Sequence, residues 1–490
     1  MNKLYAILAI VGLVFGVVAD SAFAAPILAP TAPLLSFSQT KKELAGLSKK
    51  QTAITITGLL EVFHTDDFVN QNSSYRYFLN LGDRRVEFQP TEQIDSPSGT
   101  QIKLDKAYEV GDKIIAEATV DNLHFLNQPR RLSTGNQTLA VLLIDFADSP
   151  DRPFTADEAT NLIFNDQVQN FYHEQSDNQV NLVGRVFDWH RLPRNGVDEQ
   201  GVCRWPAFGK GNELNQVLLN QVSNIGSYQR VIVMAHHPCM LGARGTVGQV
   251  SMLIGDKTYR LSQASIGSLA GFNDDFNMPF KWRRIDYYLS HELGHNLGLM
   301  HANGWDCGEV VLGEKCYNLE SSNPFDVMGM GRGGLHFNAY FKEFLGWLKS
   351  DSILTINRTG AYLLAPLEVT DTTLPRGAKI VLPNSRHSFY IEYRRGRGFD
   401  AKLSEESYAP NQEGLMINLA MQPIWGDPYP YTRLLDISPS KTPWYEDAIE
   451  AVLFADHKTI FTDPASGLTI GPIVSASDDN ISFKVSFETP

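Results

Sequence analysis

Residues 291–301 read His-Glu-Leu-Gly-His-Asn-Leu-Gly-Leu-Met-His. His291 and His295 stand at i and i+4. On a helix both imidazoles project from one face, one turn apart, within reach of a single ion. Ile285, Tyr288, Leu289 and Leu293 give that helix an apolar stripe with which to enter a core. Gly298 follows His295 by three residues and is the expected helix-ending glycine, because it accepts a left-handed backbone that other residues resist. The chain then turns, and His301 returns as a third ligand. Three neutral imidazoles suit Zn²⁺, whose catalytic sites combine three protein ligands with a water. Glu292, adjacent to the first ligand, is placed to act as general base on that water. Five positions of the pattern HExxHxxGxxH are fixed, and at average residue usage their chance coincidence is of order 10⁻⁴ or below.

Working downstream, Asn323-Pro324-Phe325-Asp326-Val327-Met328-Gly329 follows His301. A long zinc motif followed by a tight turn carrying Met is the metzincin pattern, with Met328 as an apolar floor beneath the metal. Upstream, Thr138 to Phe146 (TLAVLLIDF) and Gln229 to Ala235 read as buried strands. Thr155 to Tyr172 and Asn212 to Ile225 have helical period. This alternation predicts an α/β or α+β domain beginning near Gly135. Before it, Ala53 to His64 alternates, Tyr75 to Leu81 and Arg84 to Phe88 read as a hairpin across Gly82-Asp83, and Lys113 to Val120 reads as a further strand. Short strands at close spacing predict an all-β module. After Trp347 the chain is again strand-like to Pro490, as at Phe389 to Tyr393 and Ile481 to Phe487.

The motif, then Asp306-Cys307, Cys316, Asn323 to Gly329, His336-Phe337-Asn338-Ala339 and Lys342 to Leu348 together resemble the gametolysin-like metzincins, a family of secreted zinc peptidases. The resemblance is strongest over 291–348. It implies His291, His295 and His301 as ligands, Glu292 as base and Met328 as the turn Met. The expected fold class is thus an α+β metzincin catalytic domain with an N-terminal all-β module and a C-terminal β-rich domain. The expected division is a signal peptide over 1–24, a tether over 25–50, the β module over 51–131, the catalytic domain over 135–350 and the C-terminal β domain over 351–490. Two departures from the family stand out. Met330 occupies the position where some metzincins carry a Tyr, and no Cys precedes Cys203, so a thiolate latch on the zinc is excluded.

The N-terminus carries Lys3, an apolar run from Leu4 to Val18 and Ala22-Phe23-Ala24. That is a secretory signal with cleavage after Ala24, leaving no membrane span in the mature form. The expected location is extracellular, or periplasmic in a bacterium. Four cysteines in an exported chain favour two disulfides. Cys203, Cys239, Cys307 and Cys316 allow three connectivities, and proximity favours Cys203–Cys239 and Cys307–Cys316. The chain has 42 Lys and Arg against 55 Asp and Glu, a net charge of −13 over 490 residues. That balance repels phosphate backbones and argues against a nucleic-acid partner. His236-His237 would face opposite ways on a strand, which argues against a second metal pair. The acidic pair Asp274-Asp275 is a candidate for Ca²⁺, with a solvated turn as the preferred reading. Arg130-Arg131, in a polar stretch, is the candidate processing site; the β module is either a propeptide released after Arg131 or a permanently attached domain.

The expected function is a secreted zinc endopeptidase with one catalytic Zn²⁺, acting on protein or peptide substrates, with extracellular-matrix and cell-wall proteins as candidates. Two alternatives share parts of the sequence: a surface- or wall-binding protein with a vestigial zinc site, and a zinc amidase acting on wall peptides.

Overall fold

Residues 54–127 form six strands: β1 (Ile54–Asp67), β2 (Asn72–Asn80), β3 (Arg85–Pro90), β4 (Gln101–Val110), β5 (Lys113–Ala116) and β6 (Leu123–Asn127). Their inward faces carry Leu60, Val62, Leu79, Phe88, Ile102 and Leu104 into one apolar core. The computed structural model describes residues 36–67, 72–127, 132–207, 212–267, 285–329, 335–381, 387–404, 414–421, 431–440, 444, 451–454, 458–463 and 465–487. Ala24, Arg130-Arg131, Asp274-Asp275 and Met330 lie outside the described residues. Within the expected tether, helix α1 (Phe37–Leu47) begins with a reciprocal cap between Ser36 and Gln39.

The apolar runs of the middle of the chain become β7 (Gly135–Phe146) and β9 (Arg230–Ala235), which pair in parallel. β8 (Val180–Leu192) flanks β7 and β12 (Lys257–Ile266) flanks β9, both in parallel. Both faces of these strands are covered, which is why they read as continuous hydrophobic stretches. Between them in sequence lie β10 (Ala243–Thr246) and β11 (Val250–Ile254), each antiparallel to β12. The helical stretch expected over 155–172 is two nine-residue helices, α2 (Ala156–Phe164) and α3 (Gln167–Gln175), parted at Asn165-Asp166. Three further helices follow: α4 (Glu213–Gln221), α5 (Ile285–Asn296) and α6 (Ala339–Phe344).

One pairing decides the architecture. β1 is antiparallel to β2 on one side and to β10 on the other. The N-terminal strands and the central strands are therefore a single twelve-stranded mixed sheet, in the order β6-β4-β5-β3-β2-β1-β10-β12-β9-β7-β8 with β11 beside β12.

The rest of the chain supplies β13 (Ala302–Asp306), β14 (Tyr317–Leu319), β15 (Ile353–Thr355), β16 (Gly360–Leu364), β17 (Gly377–Val381), β18 (His387–Tyr393), β19 (Gly414–Met421), β20 (Thr432–Leu435), β21 (Leu453–Phe454), β22 (Phe461–Asp463), β23 (Leu468–Ala476) and β24 (Ile481–Phe487). Eight of them form a second sheet, β14-β13-β20-β19-β18-β17-β15 with β21 on β19, and four form a third, β16-β24-β23-β22. The second sheet takes strands from both sides of residue 350, because β13 pairs in parallel with β20.

The expected layout of an α+β metzincin catalytic domain set between two β domains is therefore corrected. Strands occupy 42% of the described residues and helices 18%, in six short helices and large mixed sheets. Local periodicity finds strands and helices singly. It carries no information on pairings such as β1 with β10, which join residues some 180 positions apart in sequence. The disulfides are Cys203–Cys239 and Cys307–Cys316. No described helix is long and apolar enough to cross a membrane.

Candidate metal centre

Helix α5 is buried on nearly every side, with only Asp286 of its twelve residues partly exposed. Its backbone is held from outside the helix: the Tyr172 hydroxyl donates to the Ser290 carbonyl at 2.7 Å. At its C-terminus the Gly298 N–H bonds the His295 carbonyl at 2.8 Å and the Leu299 N–H bonds the Gly294 carbonyl at 3.1 Å. This is a Schellman cap, and Gly298 supplies its left-handed residue at φ +103°. The reversal brings His301 back against the helix it has just left.

His291, His295 and His301 are fully buried. The Nε2 atom of His295 lies 3.1 Å from that of His291 and 3.1 Å from that of His301. Each Nδ1 faces an acceptor: His291 donates to the Val327 carbonyl at 2.7 Å, His295 to the Leu299 carbonyl at 2.8 Å, and His301 to Glu320 Oε1 at 2.9 Å. With the Nδ1 protons so placed, three Nε2 lone pairs converge on one point. Ligands about 2.0–2.1 Å from a tetrahedral zinc stand about 3.3 Å from one another. The donor set and its spacing fit that ion.

The floor of the site is the turn around Met328. The Asp326 carboxylate accepts from the Met328 N–H at 2.8 Å and from the Asn338 backbone and side-chain amides, both at 2.7 Å. Burial pushes the Asp326 carboxyl up to about 7, against these hydrogen bonds, which favour the anion. The turn is tied to the segment after His301 by a bond from the Ala302 N–H to the Met328 carbonyl at 2.9 Å. Met328 packs directly on the ligand helix: a Cβ at Gly294 would lie 2.4 Å from its Sδ. Gly294 thus gives the Met side chain room that any larger residue there would take.

Glu292 is fully buried, and both of its carboxylate oxygens lack an aligned hydrogen-bond donor among the described residues. It does have an ion-pair contact. His64 Nε2, from β1, stands 3.2 Å from Glu292 Oε2. His64 Nδ1 donates to Asp66 Oδ2 at 2.8 Å. Burial alone would lower the His64 pKa, but the carboxylates of Glu292 and Asp66 outweigh it and hold the imidazole up at about 9.

Asp66 itself enters the centre. Its Oδ2 is 3.5 Å from Nε2 of both His291 and His295, and its Oδ1 is 3.2 Å from Nε2 of His301. Asp66, His291, His295 and His301 form one buried group able to hold a metal ion. Around His301, Tyr75 from β2 places its hydroxyl 2.8 Å from Nδ1 and donates to Glu320 at 3.0 Å. Burial would depress the His301 pKa, but Asp66 and Glu320 hold it up at about 10. Burial and the neighbouring histidines hold His295 well below the ordinary value, in the neutral form a ligand needs.

The structure therefore gathers His291, Glu292, His295, Gly298, His301 and Met328 at one place. Sequence reasoning missed Asp66, His64, Tyr75, Glu320 and Gly294. One signal was present: the alternating stripe of Leu60 and Val62 continues at period two into His64 and Asp66, and ionisable side chains on a core-facing stripe need partners. His237 lies near both Cys203 and Cys239, but those sulfurs are bonded to each other. Its Nε2 faces the Asp148 carboxylate at 3.2 Å instead. No family model matches this chain, and no curated protein matches it.

Proposed function

We propose that this chain is an exported, zinc-dependent endopeptidase. One observation carries the reading. The buried Nε2 of His295 lies 3.1 Å from the Nε2 atoms of both His291 and His301, each Nδ1 has an acceptor, and a buried carboxylate stands beside them without an aligned donor. Lone pairs held this close repel one another unless a cation lies between them. A donor set dominated by three imidazoles selects a borderline ion such as zinc over Mg²⁺ or Ca²⁺, which prefer oxygen ligands. Zinc bound there supplies a Lewis acid for the scissile carbonyl and acidifies water at the site.

Glu292 is the proton carrier. Its carboxylate takes a proton from the attacking water and returns it to the leaving amine nitrogen. The helix backbone fixes Glu292 beside His291, so the base sits next to the metal ligands without a loop to order. Export is supported by the segment from Lys3 to Ala24 and by the two disulfides, which persist in oxidising compartments. Protein or peptide substrates follow from the chemistry, and a substrate panel of casein against wall peptides separates a general peptidase from an amidase.

Zinc analysis and hydrolysis test the reading together. Wild-type chain should carry one zinc, and His295→Ala should bind it far more weakly and lose turnover, because one of the three converging imidazoles is gone. Casein hydrolysis by the secreted form should stop with a chelator and return with added zinc. A His295→Ala chain that keeps one zinc and full activity overturns the assignment.

A further inference from the structure

We propose that β1 is a built-in occupant of the catalytic cleft, with Asp66 as the fourth ligand of the metal, so that the full-length chain is latent. The inference rests on the peptidase reading above. It adds a metal ligand from outside the motif and a regulatory role for the N-terminal strands.

The first support is the placement of the carboxylate. Asp66 is buried, and its two oxygens lie 3.2–3.5 Å from the three ligand nitrogens, close to the edge of about 3.3 Å expected between ligands of one tetrahedral zinc. Oδ1 has no aligned hydrogen-bond donor among the described residues. A buried carboxylate in that position requires a positive partner. A catalytic zinc site keeps its fourth position open for water, whereas a site closed by four protein ligands is a structural one. With Asp66 in place the centre is closed.

The second support is the strand that carries Asp66. β1 runs antiparallel to β10 with Phe63, His64, Thr65 and Asp66 opposite Thr246, Gly245, Arg244 and Ala243. Extended peptides bind enzymes by adding a strand to a sheet edge. β10 has β12 on its other side, so β1 occupies the one edge it offers to a substrate. The approach at Gly245 leaves no room for a side chain: a Cβ there would lie 2.4 Å from the Gln263 carbonyl oxygen and 3.3 Å from His64 Nε2. The third support is His64, whose contact with Glu292 at 3.2 Å engages the proposed base from the same strand.

The N-terminal strands pair more extensively with one another than with the central strands. β1 shares nine register pairs with β2 but four with β10. Cleavage at Arg130-Arg131, in the segment between β6 and β7, would leave the first six strands paired with one another and free to separate. Separation would remove Asp66, His64 and Tyr75 from the centre together and expose the edge of β10.

The test is the full-length chain loaded with Co²⁺ in place of zinc, as wild type, Asp66→Ala and the nearly isosteric Asp66→Asn. The visible absorption of Co²⁺ reports its ligands independently of turnover. The expected result is one metal per chain in all three, a changed spectrum in both variants, and casein hydrolysis by the zinc-loaded variants about tenfold or more above the full-length wild type, as for loss of one partner of a buried charged contact. Wild-type spectra in both variants at equal metal content overturn the latch and leave the peptidase reading intact. A wild-type chain that takes up no metal overturns both.

Discussion

Among the proposed metal ligands, His301 is gripped from outside the motif. Its Nδ1 meets Glu320 at 2.9 Å, and Tyr75 donates to the same carboxylate. Such a carboxylate fixes the tautomer and raises the basicity of the metal-facing nitrogen, and its loss typically weakens metal binding about 10–100-fold. Glu320→Gln should therefore keep the fold and lose zinc affinity by about that factor, measured by competition with a chromogenic chelator; unchanged affinity would show that Glu320 only fills space. His291, Glu292, His295 and His301 were legible because one helical turn and one glycine reversal place them, and both are local. Glu320 and Tyr75 were not, because the contact between Tyr75 and His301 spans 226 positions. No spacing rule reaches that far.

At the scale of elements, the ligand helix and its stop are one device. α5 supplies two of the proposed ligands and the proposed base, and the Schellman cap at Gly298 returns His301 to them. An L-residue at φ +103° is strained, by about 1–2 kcal/mol. Gly298→Ala should lower stability to urea by about that amount and weaken zinc binding, since relief of the strain moves His301. A variant with wild-type stability and affinity would mean the reversal does not depend on glycine. The sequence marked this stop because glycine after a helix is a local signal. It also marked the helix at 155–172, but Asn165-Asp166 breaks that stretch into α2 and α3. Apolar residues continue their period across the break, so periodicity alone ran through it.

The whole molecule differs most from what its segments suggested. Residues 54–67 read as part of a separate β module, yet β1 is the seam that joins six N-terminal strands to the central sheet. Its last turn of alternation, from Val62 to Asp66, changes from core packing to the metal centre. A strand that packs as core at one end and ends at the candidate metal centre cannot be assigned to one domain from its own pattern. On the proposed reading the same geometry governs activity: the centre is closed while β1 is in place and opens once it leaves. The most direct test of the central claim is casein turnover by the processed wild type and by processed Glu292→Gln at equal zinc content. Gln is nearly isosteric with Glu but cannot accept the proton. The account predicts one zinc in each and a fall in turnover of about 10²–10⁴ in the variant. Near-wild-type turnover in Glu292→Gln with its zinc retained would contradict it.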